Sequence, residues 1–123
     1  MGLNKLLNDT QQLRLLNQKT EKYFHEYKDD KEMPSFESVI KPFADEVSAL
    51  LNEWYPNVTA FINQYETKYL HVEQIDQMKE HLEVISVKAF VPETKEKQFK
   101  EQVKSIEYTL SVVCEELNRY VQG

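Results

Sequence analysis

FKEQVKSIEYTLSVVCEELNRY, residues 99–120, sets Phe99, Val103, Ile106, Leu110, Val113, Leu117 and Tyr120 at alternating intervals of four and three. An α-helix turns about 100° per residue, so this rhythm gathers the apolar side chains into one stripe. Three further stripes precede it. The first is Leu3, Leu6, Thr10, Leu13, Asn17, Thr20, Phe24 and Tyr27, ending in the charged run Lys28-Asp29-Asp30-Lys31-Glu32. The second is Phe36, Val39, Ile40, Phe43, Val47, Leu50, Leu51, Trp54, Val58, Phe61 and Tyr65. The third is His71, Ile75, Met78, Leu82, Ile85 and Ala89, separated from the fourth by Val91-Pro92-Glu93. Four stripes with short connections predict an all-α, antiparallel up-and-down four-helix bundle. A chain of 123 residues fits a single domain, residues 1–123.

Two prolines fall within the second stripe. An interior proline costs a helix about 3 kcal/mol. Yet Phe36, Phe43, Val47, Trp54, Phe61 and Tyr65 keep one phase across Pro42 and Pro56, and both prolines project to the opposite side. The reading is one long helix kinked at both prolines, the alternative being a separate short helix before Pro42. Ser35 and Thr94 are the predicted N-caps of the second and fourth helices.

The only glycines are Gly2 and Gly123. Phosphate-cradling loops, dinucleotide turns and nucleophile elbows need a residue that tolerates positive φ or close backbone approach. The interior offers none, and any left-handed helix end must be made by another residue type.

Charge excludes a further class. The net charge is −6, and the nearest approach to a basic patch, Lys97, Lys100 and Lys104, is interleaved with Glu96 and Glu101. Nucleic-acid binders draw most of their affinity from phosphate neutralisation, so no nucleic acid is expected. No apolar run approaches a membrane span or a secretion signal, so no membrane association and a cytoplasmic location are expected. Asn57-Val58-Thr59 matches a glycosylation acceptor, which carries no weight without secretion.

Catalytic and metal-binding spacings are missing. A di-iron carboxylate bundle uses Glu-x-x-His, whereas Lys22, Lys68 and Met78 stand three residues before His25, His71 and His81. Cys114, the single cysteine, reads as a small buried hydrophobe beside Val113. The expectation is a protein that is not an enzyme and holds no cofactor or metal.

Three sets of residues remain as candidates. Asn17 and His81 lie near mid-length on the first and third helices, where they are placed to share a level with Ser105 or Thr109. Such a layer serves register, or floors a small-ligand pocket beside His81. Val84, Val87 and Val91 form a second apolar stripe on the third helix, and Tyr108 and Val112 point outward from the fourth. Apolar residues on a solvent side suggest an unknown protein partner or a homodimer. The aromatic group Trp54, Tyr55, Tyr65 and Tyr69 around Pro56 is read as packing, with Tyr55 and Tyr69 toward the edge.

The stretch Ser35-Phe36-Glu37-Ser38-Val39-Ile40-Lys41-Pro42-Phe43-Ala44-Asp45-Glu46-Val47 through Trp54 resembles the YppE-like family of small bacterial proteins. So do Tyr69-Leu70-His71 through Gln74-Ile75, and Ser86-Val87-Lys88-Ala89-Phe90. The resemblance spans essentially the whole chain. It implies a cytoplasmic helical bundle of Gram-positive bacteria with no assigned activity, so it carries over no catalytic residue. On these grounds the function is unknown. The expected role is a small non-catalytic interaction protein, and the alternative is a bundle that binds a small ligand in the polar layer near His81.

Overall fold

The computed structural model describes residues 2–30 and 32–121. Met1, Lys31, Gln122 and Gly123 lie outside them, and with them one residue of the charged first connection and the second glycine. Four α-helices follow in order: α1 Leu3–Tyr27, α2 Lys41–Tyr65, α3 Val72–Lys88 and α4 Glu96–Val121. There is no strand among the described residues. Helix α1 packs between α2 and α4, and α3 packs between the same two from the other side, leaving α1 and α3 diagonal. No helix among the described residues is long and apolar enough to cross a membrane.

Aromatic rings at the two ends show that the helices alternate in direction. Tyr23 near the end of α1 meets Phe43 at the start of α2 and Phe90 just past α3, with ring centroids 5.1 and 4.9 Å away. Phe24 stacks on Phe99 at the start of α4, with centroids 4.4 Å apart and planes inclined by 15°. At the opposite end Phe61 and Tyr65 of α2 meet Tyr120 of α4. Between these plugs Leu13, Val47, Leu51, Trp54, Leu82, Ile85, Ile106 and Leu110 are sealed from water. Burying each such side chain contributes about 1.5–3 kcal/mol, which is what holds four amphipathic helices together.

The two prolines behave differently from one another. Pro56 lies inside α2, which runs through it unbroken from Lys41 to Tyr65, and its ring faces solvent. Pro42 is not interior to an α-helix. It occupies the first turn of α2, and residues Phe36–Ile40 before it form a single wide turn. There the N–H of Ile40 reaches the Ser35 carbonyl at 3.2 Å and the N–H of Lys41 reaches that of Phe36. An α-turn would press the proline ring against the carbonyl four residues back, and five-residue bonding opens that space.

The wide turn has a cost in phase. It rotates everything before it relative to the α2 stripe, so Ile40 is buried while Phe36, expected in the core, is 56% exposed. Two other stripe assignments change. His71 is exposed as the residue before α3, and Tyr120 is partly exposed while its ring packs on Tyr65 and Phe61.

Helix ends follow local chemistry. The Ser35 hydroxyl accepts the Ser38 N–H at 3.2 Å, as its capping role requires. The side chain of Gln74 accepts the His71 N–H at 2.8 Å and so steadies the start of α3. Thr94 is not the cap of α4. Its hydroxyl donates to the Lys88 carbonyl at 2.8 Å, joining the Val91 N–H on that acceptor at the end of α3, and α4 begins two residues later. Glu66 ends α2 in the left-handed conformation, φ 48 and ψ 53, a place more often filled by glycine.

Candidate functional site

The polar layer expected from the sequence does not assemble. Asn17 is buried on the α1/α4 seam, where its Nδ2 donates to the Val103 carbonyl at 2.9 Å. His81 is half-buried on the α3/α4 seam instead, sharing a shallow depression with Gln98, Glu101, Gln102 and Ser105. Ser105 is exposed and Thr109 half-buried. Asn17 lies within its stripe and faces α4, whereas His81 stands about 100° from Leu82 and opens sideways. The two line different depressions, His81 between α3 and α4 and Asn17 between α1 and α4.

The apolar surface is likewise divided. Val84 and Val87 are 39% and 38% exposed on the outer side of α3. Val91 is half-buried beyond the end of α3, beside Phe99 and Gln102. Val112 is half-buried against the core. Tyr108 is 67% exposed but lines the α1/α4 seam, across the bundle from the α2/α3 groove that Val84 lines. Valines of α3 and Tyr108 therefore cannot contact one flat partner together.

Two concave regions carry concentrated chemistry. The larger, about 620 Å³, lies between α2 and α3 and is lined by Asn52, Tyr55, Asp76, Lys79, Glu80, Glu83 and Val84. The Tyr55 hydroxyl donates to Asp76, and the hydrogen bond to that carboxylate holds the phenol above its ordinary pKa. Lys79 pairs with Glu83 at 2.7 Å and lies 6.0 Å from the Tyr55 ring centroid. Asp76 and Glu80 thus leave the groove acidic. Tyr55, placed toward the edge by its sequence position, does line a groove. Tyr69 is exposed with the Lys68 ammonium over its ring, and Trp54 is fully buried.

The second region, about 430 Å³, lies between α1 and α4 and is lined by Asn17, Gln18, Glu21, Val103, Lys104, Glu107 and Tyr108. Beside it, Arg14 places both Nε, at 2.9 Å, and one terminal nitrogen on the same oxygen of Glu107. The other oxygen, Oε2, is buried without a partner among the described residues, as is Oδ1 of Asn17. The Glu107 hydrogen bonds keep the Arg14 guanidinium above its ordinary pKa. Further along the seam Cys114 is buried. Desolvation pushes its thiol up, and the adjacent Arg14 offsets this only in part. Sequence spacing gave no signal for the Arg14–Glu107 pair, because its members stand 93 positions apart.

No group of three or more His, Cys, Asp or Glu side chains among the described residues is placed to hold a metal ion. The expected solvated character of Lys97 and Lys104 matches their exposure, and Lys100 pairs with Glu96 at 3.3 Å.

The fold has counterparts among known proteins. The chain is 29% identical over 114 residues to the uncharacterised protein YppE of Bacillus subtilis, covering 93% of each. The crystal structure of that YppE superposes with a TM-score of 0.92 at 28% identity, covering 100% of both chains. A protein of unknown function from Listeria innocua matches with a TM-score of 0.91 at 26% identity, over 98% of this chain and 97% of its own. A Staphylococcus aureus protein of the DUF1798 family, 20% identical, shares the fold with a TM-score of 0.86, over 95% of this chain and 99% of its own. The model of a bacterial domain of unknown function, DUF1798, matches residues 10–117, which include both concave regions, and the chain belongs to that family.

Proposed function

We propose that this is a non-catalytic interaction protein of the cytoplasm that docks its partner on the outer side of α3. The observation that supports the reading is the pair Val84 and Val87, exposed on a helix side where bundles ordinarily present polar residues. Beside them the α2/α3 groove contributes Asp76, Glu80 and Glu83 against the single cation Lys79, which Glu83 already engages. That combination suits a segment with apolar side chains flanked by lysine or arginine. A second copy of this chain is a poor fit, since it would set the same acidic groove against itself. The buried, unpaired thiol of Cys114 is at home in a reducing compartment.

Affinity purification from the native cell, comparing wild type with Val87→Glu and Glu80→Lys, tests the proposal. Both variants should lose the same co-purifying protein while keeping their helical circular dichroism, and that protein should bind wild type directly with strong salt dependence. A partner retained equally by both folded variants sinks the docking surface. Equilibrium sedimentation of the purified chain showing a dimer broken by Val87→Glu would replace the basic partner with a second copy.

A further inference from the structure

The α1/α4 seam holds a deficit that the fold itself does not settle. Asn17 is 1% exposed, and its Nδ2 is committed to the Val103 carbonyl, which can only accept. That bond fixes which way the amide points. Oδ1 must be the free end, and it is buried without a donor. Glu107 is in a similar state. Arg14 loads both its hydrogen bonds onto Oε1, and Oε2 is left buried and unpaired. An unmet buried acceptor is costly, more so when charged, and these two belong to residues that line one depression, so a donor entering it could meet both.

We propose that the α1/α4 depression is a binding site for a small organic cation carrying a primary ammonium on an apolar body. An ammonium has three N–H donors and no acceptor. Two would serve Asn17 Oδ1 and Glu107 Oε2, and the third would point outward toward the Glu21 carboxylate and water. The depression is about 430 Å³, far larger than the ammonium alone, and Val103 and the exposed Tyr108 ring offer the rest of the ligand an apolar wall. Ring and cation attract one another where the face is reached. The two acceptor oxygens lie beneath the lining, so entry requires the exposed side chains of Gln18 or Tyr108 to turn aside. This site is separate from the α3 docking surface and stands or falls without it.

The test is a titration of the full-length ¹⁵N-labelled protein with 2-phenylethylamine, followed by NMR. The neutral isostere 2-phenylethanol at matched ionic strength is the control. The amine should give saturable shifts in the amides of residues 17–21 and 103–108 and in the Asn17 side-chain NH₂, with half-saturation in the millimolar range. The alcohol should bind about tenfold or more weakly, because it cannot supply the charge-assisted donors. Glu107→Gln should weaken the amine by a similar factor. If that variant fails to fold, the amine-to-alcohol ratio on wild type decides alone. Equal shifts from both compounds, shifts that never saturate, or shifts confined to another face overturn the proposal. So does a bound water bridging the two oxygens that the amine fails to displace.

Discussion

The indole N–H of Trp54 donates to the hydroxyl of Thr10 at 2.8 Å, and that hydroxyl donates in turn to the Leu6 carbonyl at 2.7 Å. Both side chains are fully buried, so the largest residue of the core is oriented by a polar relay that joins α2 to α1. Thr10→Val keeps the shape and strands the indole donor. It should destabilise the protein by about 1–3 kcal/mol. Combined with Trp54→Phe the loss should be smaller than the sum of the two, since no donor then remains to be satisfied. Urea denaturation of the four proteins in the cycle measures this, and additive losses would show that the relay carries no coupling.

Glu66 offers the opposite kind of change. A side chain in the left-handed region is held at a cost of about 1–2 kcal/mol that glycine avoids, and glycine gives back part of it through a freer unfolded chain. Glu66 sits there at φ 48. Glu66→Gly should stabilise by about 0.5–1 kcal/mol, raising the melting temperature by roughly 2–4 °C. Glu66→Ala should bring no gain, and calorimetry of the two variants separates the backbone effect from loss of the charge.

Cys114 should be chemically silent in the native state. Thiol reactions run through the thiolate, and burial raises the energy of that form more than Arg14 lowers it. A disulfide reagent at pH 8 should react at least about a hundredfold more slowly with the native protein than with the protein in urea. Comparable rates would show a thiol accessible without unfolding.

Glu96 gives a pH dependence of defined sign. Its carboxylate accepts from Lys28, just past the end of α1, and also pairs with Lys100, and Lys28 is the larger cause of its lowered pKa. A pKa depressed in the folded state adds stability at pH above the ordinary value of 4.5, and that stability is lost as pH falls through the folded value. Glu96→Gln should therefore lower the melting temperature slightly at pH 7 and leave it unchanged near pH 2. High salt should shrink the difference at pH 7, because the group is exposed. An effect that grows in acid would contradict the pairing.

Much of the architecture was legible because helix phase survives in one dimension. Phe99 through Leu117 are buried at the spacing the sequence displays, and α2 keeps Val47, Leu51, Trp54, Val58 and Phe61 inside across Pro56. Phe36 was misread because a single wide turn shifts phase, and periodicity cannot register one extra residue beside Pro42. The candidate site was harder. Asn17 was recognisable as a polar residue in an apolar stripe, but which neighbour it faces depends on how four helices are ordered around the axis. His81 and Asn17 share a height and not a seam. No motif singles out Arg14 or Glu107, and their one-sided pairing exists only once α1 and α4 are side by side. Val84 and Val87 stand exposed outside the stripe, whereas Val91 falls past the end of α3 and Tyr108 faces another seam, directions that spacing along one helix does not encode.

The wide turn at Phe36–Ile40 acts as a one-residue buffer between two parts of the molecule. Upstream, the connection from α1 carries exposed Met33; downstream, the Val47–Phe61 stretch of α2 is locked into the core. A conventional α-turn over the same residues would carry the side chains before Lys41 about 100° round, relative to that buried stretch, from where they now stand. Because the extra residue is taken up between Ser35 and Lys41, the orientation of the chain before the turn is uncoupled from the phase of the buried stretch after it.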